Sequence, residues 1–236
     1  LVAHEIAHQW FGNSASEMDW QHVWLSEGFA TYFTHLYNEF TYGRDKMTVD
    51  LREDRKTIIN FYKEQALPIV FRQLPNELLS VLNPNSYQKA SWVLHMLRAE
   101  VGDEHFWQGI RQYYHTFQNS NATTDDFVRI MEKTSGKDLS WFFNQWLHRS
   151  GQPSLALQWT YDSATQSIKG TVQQVQSEEP FMLTVEVGVY DDLMSLMGIE
   201  TLQLTGRSKN FTFKTAKKPL KLRLDPNTRL LFEEKL

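Results

Sequence analysis

Five residues near the start of this chain, His4-Glu5-Ile6-Ala7-His8, and a later Glu27 constrain it more than anything else in it. Residues four apart lie on one face of a helix, so His4 and His8 direct their imidazoles at a single point. Two imidazole nitrogens at roughly 2.0–2.1 Å suit Zn²⁺, and a third protein ligand leaves one tetrahedral position open for water. Glu27 is the natural third ligand, because the eighteen residues between it and His8 suffice for a loop and a returning helix. Glu5, one step round from His4, faces the open position and not the metal. The spacing thus predicts a catalytic centre holding one Zn²⁺ per chain through His4, His8 and Glu27.

The pattern around that centre is helical up to about residue 150. Residues 1–12 read as a buried helix, with Val2, Ile6 and Trp10 on one stripe and Leu1, His4, His8 and Phe11 on another, stopping at Gly12-Asn13-Ser14. Residues 15–21 are polar and loop-like. A second helix carries Trp24, Glu27, Phe29, Tyr32, Phe33 and Leu36 and ends before Thr41-Tyr42-Gly43; a charged amphipathic helix occupies 45–64. Pro68, Pro75 and Pro84 break 65–85 into a long irregular connection, a length often tied to function. Ser86 is read as the cap of the next helix, which stops at Gly102. Asp103 and Thr124 are read as caps of helices 104–118 and 125–134, and Asp138 as the cap of a last helix reaching Arg149.

Composition changes near residue 150. All eight histidines and 25 of the 32 aromatic residues precede residue 151. The C-terminal remainder alternates with period two: Leu155, Leu157, Trp159, Tyr161; then Leu183, Val185, Val187, Val189; then Leu220, Leu222, Leu224. Turns at Asp162-Ser163, Gly206-Arg207 and Asp225-Pro226-Asn227 separate about seven short strands, the signature of a small β-sandwich. The fold class is therefore α+β in two domains, helical over 1–150 and β-sandwich over 151–236. Hydrophobic residues make up 41% of the chain, ample for a core, and the absence of cysteine removes thiolate zinc sites and disulfides. A net charge of −4 supplies no basic field for nucleic acid, and no apolar run reaches the roughly 18–20 residues of a membrane span. The chain opens inside a helical pattern without Met, which reads as a piece of a longer polypeptide, and its compartment is not legible.

Hydrolysis at such a centre needs a group that takes a proton from water and returns it to the leaving group. Glu5 can do both. It also needs a donor for the oxyanion. Tyr87, in the first turn of its helix after the Pro-broken connection, is a candidate, although spacing alone does not separate it from the other tyrosines.

The sequences His-Glu-Ile-Ala-His-Gln-Trp-Phe-Gly-Asn at 4–13 and Trp-Leu-Ser-Glu-Gly-Phe-Ala-Thr-Tyr at 24–32 resemble the gluzincin aminopeptidases, the family of aminopeptidase N and the leukotriene hydrolases. The resemblance implies zinc ligands at His4, His8 and Glu27, a catalytic carboxylate at Glu5, and a mainly α-helical, thermolysin-like catalytic half-domain followed by the β-sandwich. It also singles out Tyr87 as the oxyanion donor, because Tyr87-Gln88-Lys89-Ala90-Ser91 is similar to the family's Tyr-x-Lys-Gly-Ala. The similarity runs on through Phe143-x-Gln145-Trp146-Leu147 and Gly151-x-Pro153. Ser26 departs from it, standing where Asn is commoner, and the family's Gly-x-Met-Glu-Asn substrate-binding motif lies upstream of any residue present. The function implied is zinc-dependent removal of N-terminal residues from peptide substrates, with the upstream region of the same polypeptide as partner. Epoxide hydrolysis at the same centre and a non-catalytic zinc-stabilised binding module are the alternatives.

The remaining features have plainer readings. His22 is either an outer partner of the metal ligands or a partly exposed loop residue. His35, His95, His105, His115 and His148 read as helix-surface or interface residues, Tyr113-Tyr114 and Trp141-Phe142-Phe143 as core, and Arg52–Lys56 as a solvated, ion-paired face.

Overall fold

In the computed structural model, which describes residues 1–235, hydrophobic periodicity resolves into helices up to residue 148 and strands beyond it. The chain forms two compact units, Leu1–Gly151 and Gln152–Leu236, so the class is α+β.

The first unit contains α1 (Val2–Ala7), β1 (Ala15–Glu17), α2 (Trp24–Tyr42), α3 (Arg44–Glu64), α4 (Ala90–Val101), α5 (Asp103–Phe117), β2 (Ser120–Ala122), α6 (Thr124–Ser135) and α7 (Ser140–Phe143). Its core is aromatic: Phe29 lies 4.6 Å from Phe11 and 5.3 Å from Phe127, ring centre to ring centre, and Tyr113 lies 5.2 Å from Phe127. Burying rings of this size supplies large apolar area, and the edge-to-face contacts add about 0.5–1.5 kcal/mol each. Where α2 meets the start of α4, Gly28 lets the backbones approach so closely that an added Cβ would come within 2.5 Å of Ala90 Cβ.

Several expected boundaries move. The first helix stops at Ala7, after which the chain tightens into turns in which Gln9 N–H reaches Ile6 O and Trp10 N–H reaches Ala7 O. The expected buried stripe is open to solvent: Val2, Ile6 and Trp10 are 72%, 53% and 49% exposed, while Ala7 and Phe11 are the buried residues. The polar stretch after Gly12 is not all loop, since β1 pairs in parallel with β2, a pair too short for any periodicity to reveal. The cap of α6 is Thr123 and not Thr124, because Thr123 has the extended backbone a cap requires and Asp126 completes a capping box with it. Asp103 lies inside α5 and pairs with Arg98 instead of capping, the N-cap being Gly102. Ser86 does not cap α4 either; it is buried and donates to Val81 O, while Asn83 Oδ1 accepts Asn85 N–H at the start of the turn. That turn, Asn85–Lys89, is π-helical and runs directly into α4; α7 likewise continues as a π-helical turn, Asn144–His148.

The second unit contains β3 (Ser154–Asp162), β4 (Ser167–Gln174), β5 (Leu183–Tyr190), β6 (Leu196–Leu204), β7 (Ser208–Lys214), β8 (Lys221–Leu224) and β9 (Glu233–Lys235). They form a four-stranded sheet, β7-β4-β3-β9, and a three-stranded sheet, β6-β5-β8. Pairing is antiparallel throughout except for β3 with β9. On β5 the alternating residues Leu183, Val185, Val187 and Val189 are buried, as a half-covered strand demands. Leu220 falls just outside β8 and is exposed. Asp162 and Asp225 make the turns their side chains favour: Asp162 Oδ1 accepts Ala164 N–H, and Asp225 Oδ1 accepts Arg229 N–H. Leu236 lies outside the described residues.

Candidate metal centre and active site

His4 and His8 reach the centre from the body and the C-terminal end of α1, and Glu27 reaches it from the first turn of α2. His4 Nε2 and His8 Nε2 are 3.1 Å apart, and Glu27 Oε2 lies 3.2 Å from the first and 3.4 Å from the second. A tetrahedral ion with bonds of about 2.0–2.1 Å sets its ligand atoms about 3.3–3.4 Å apart, so this triangle has the dimensions zinc requires. The donor set fits as well: two imidazoles and one carboxylate, with no thiolate. His8 Nδ1 lies 3.0 Å from Phe11 O and donates to it, so in the neutral imidazole Nε2 is the lone-pair nitrogen turned to the centre. Among the described residues this is the one group of three His, Asp or Glu side chains close enough to share an ion.

The protein groups alone already carry coupled charge. The hydrogen bond to Glu27 raises the pKa of His8 above its ordinary value, against the opposing effect of burial. Burial by itself would raise the Glu27 carboxyl, but hydrogen bonds from His8 and Tyr87 and the nearby imidazoles hold it below its usual range. Glu27 is thus the ionised form a metal ligand must be.

Tyr87 sits on the π-helical turn before α4, its ring stacked on that of His4 with centres 6.1 Å apart and planes 18° from parallel. Burial, reinforced by the Glu27 carboxylate, pushes its phenol up to about 12. At neutral pH it is therefore a hydroxyl donor held beside the ligand triangle. Glu5 is exposed, and its carboxylate contributes to the upward shifts of both His8 and Tyr87. The five residues singled out from the sequence thus lie in one neighbourhood.

The Peptidase family M1 domain matches residues 1–146. The chain belongs to peptidase family M1. This family is zinc-dependent, and peptide-bond hydrolysis is the chemistry of its members. Among curated M1 relatives, the probable aminopeptidase 2 of Sulfurisphaera tokodaii is 35% identical over 162 residues, covering 65% of this chain and 20% of that protein. Aminopeptidase M1-C of Oryza sativa subsp. japonica is 32% identical over 165 residues, covering 66% of this chain and 18% of that protein. The chain thus spans about a fifth of the length of the curated M1 proteins it matches. The fold is also that of Legionella pneumophila aminopeptidase A, crystallised in complex with aspartic acid: the TM-score is 0.83 at 20% identity, over 100% of this chain and 26% of that one.

Other histidines of this M1 chain stand apart from the centre. His22 Nδ1 is 3.0 Å from Thr124 Oγ1, and the same hydroxyl accepts Trp24 Nε1–H at 2.8 Å, so His22 helps to hold α6 against the start of α2. His35 and His95 are buried between helices, His35 against Asp54 at 2.7 Å and His95 against the hydroxyl of Tyr32. Sequence reasoning missed two groups behind the ligands, Gly12 and Glu17. Gly12, four residues after His8, reads from the sequence only as part of a helix stop. Glu17 carries no signal, because nothing local in the sequence ties it to Ser26.

Proposed function

We propose that this chain is the zinc-holding, bond-cleaving part of an aminopeptidase that hydrolyses the peptide bond next to a free N-terminus. The observation that carries the reading is the triangle of His4 Nε2, His8 Nε2 and Glu27 Oε2, with sides of 3.1–3.4 Å, on a chain of family M1. Zinc, when bound, supplies a Lewis acid and lowers the pKa of a water molecule to about 7. Glu5 accepts the proton of the attacking water and delivers it to the leaving amine, a role typically worth 10²–10⁴-fold. Tyr87 donates its hydroxyl to the oxygen on which negative charge develops. Glu27, kept ionised, and His8, kept in one tautomer by Phe11 O, hold the ligand set in place.

The substrates on this reading are peptides. The upstream region of the same polypeptide is the proposed partner, and the exposed stripe Leu1, Val2, Ile6 and Trp10 is the surface it would cover. No described helix is long and apolar enough to cross a membrane.

Metal analysis of the full-length polypeptide purified without chelator, followed by turnover of aminoacyl anilides, tests the proposal. Stoichiometric zinc with turnover that disappears in Glu5→Gln is the expected result. Zinc without turnover on peptides would favour a non-catalytic module, and turnover restricted to epoxides would favour the other reaction of the same centre.

A further inference from the structure

One short stretch of chain, Phe11–Glu17, bonds both His8 and Ser26, the residue immediately before Glu27. At its start the Phe11 carbonyl takes the Nδ1 proton of His8. At its end the Glu17 carboxylate accepts the hydroxyl of Ser26, the residue immediately before Glu27. Gly12 fills the space between the two bonds: a Cβ there would sit 3.0 Å from His8 Nδ1 and 3.2 Å from Ser26 Oγ, and its φ of +122° suits glycine alone. The stretch is anchored in turn. Ser16 Oγ donates to Gly12 O at 2.6 Å, β1 pairs with β2, and Asn121 Nδ2 donates to Glu17 O at 3.1 Å.

Ser26 is buried, so its hydroxyl loses water on folding and needs an acceptor. Glu17 provides a charged one, and no Lys, Arg or His of the described residues forms an ion pair with it. A hydroxyl bound to an ionised acceptor is held about twice as firmly as one bound to a neutral group. We infer that Glu17 is a positioning residue for the metal ligand Glu27, acting through Ser26, so that Phe11–Glu17 braces two of the three ligands at once. This rests on the zinc reading above.

The test is the rate at which zinc passes from the protein to excess chelator, followed with a metal-sensitive dye. It is measured for wild type, Glu17→Ala, Glu17→Gln, Ser26→Ala and the Glu17→Ala/Ser26→Ala double variant, with thermal unfolding of each protein, metal-free and zinc-bound, in parallel. Outer partners of metal ligands are worth about 10–100-fold in affinity, so Glu17→Ala and Ser26→Ala should each speed release by about that factor. The double variant should be no faster than the faster single, because the pair acts as one unit. Glu17→Gln, whose amide oxygen still accepts the Ser26 proton but as a neutral group, should recover part of the wild-type rate. Unchanged release with equal losses of metal-free and zinc-bound stability would overturn the inference, as would additive effects in the double variant or no recovery in Glu17→Gln. If Glu17→Ala fails to fold, Ser26→Ala and Glu17→Gln carry the comparison. Wild-type protein that holds no zinc would sink the zinc reading itself; zinc-loaded wild type with unchanged variants would sink only the role of Glu17.

Discussion

The helical and β units of this chain solve the same problem, a single arrangement of buried side chains, by different means. In Leu1–Gly151 the helices are keyed to one another by side chains far apart in sequence: Trp24 Nε1–H to Thr124 Oγ1, Trp92 Nε1–H to Leu51 O, and His35 to Asp54. In Gln152–Leu236 the backbone ladder sets register, and buried polar groups such as Gln174, bonded to Phe181 and Gly206, only close the loops between strands. A helix can rotate or slide under an apolar contact, whereas a paired strand cannot shift by one residue without turning its faces over. The helical unit therefore uses buried polar groups to fix rotation, and it is there that the three proposed ligand atoms meet within 3.4 Å. A site needs fixed azimuth, and only the first unit is built to supply it.

The largest test of that contrast removes a ligand. Glu27→Ala or His8→Ala should abolish stoichiometric zinc by metal analysis; retention of the ion would show that the helical unit does not hold it as proposed. Next come the two groups proposed to touch the reacting atoms. Glu5→Gln should keep zinc and lose about 10²–10⁴-fold in kcat. Tyr87→Phe should keep zinc and lose about 10²–10³-fold, as with one oxyanion donor removed. A raised KM at unchanged kcat would make Tyr87 a ground-state contact instead.

Core truncations then set one unit against the other. Phe127→Ala should cost about 3–5 kcal/mol and weaken zinc retention together, because Phe127 packs on Phe29 two residues from Glu27 in α2. Leu204→Ala, fully buried at the end of β6, should cost about 2–5 kcal/mol and leave zinc affinity and kcat unaltered. Denaturant titration with metal analysis distinguishes the two, and loss of zinc in Leu204→Ala would break the division of labour.

The smallest effect comes from Lys89, fully buried on the turn that carries Tyr87, with Arg149 O at 3.5 Å as acceptor. Burial, and then the charge of Arg149, lowers its pKa from 10.5 to about 7. Below pH about 7 both folded and unfolded chains hold this proton, and the cost of burying the charge is complete. Between about 7 and 10.5 the unfolded chain binds more protons than the folded one, so stability from this group rises with pH. Lys89→Met should accordingly raise Tm at pH 7, by a margin that shrinks as pH approaches 10.5. A gain independent of pH over this range would mean that the folded chain binds this proton as the unfolded chain does, so that burial leaves its pKa unshifted.

Much of this molecule follows from one-dimensional pattern. Period 3.6 before residue 150 and period 2 after it separate helices from strands, and the alternation from Leu183 to Val189 gives a buried face because pleating alone sends every second side chain inward. The i, i+4 histidines converge for the same local reason, and Asp162 and Asp225 turn the chain through their own side chains. What pattern could not supply are relations between distant segments. The apolar stripe of Val2, Ile6 and Trp10 reads as core, yet it stays exposed among the described residues, since burial depends on a neighbour and not on the stripe. Thr123 takes the cap that Thr124 was expected to hold, while the Thr124 hydroxyl accepts from Trp24, 100 residues away. The β1–β2 pair and the reach of Glu17 to Ser26 likewise exist only once the chain has closed. Local sequence sets which way a side chain leaves its own element; which partner it then meets is set by long-range packing, and that was decided by the tertiary structure alone.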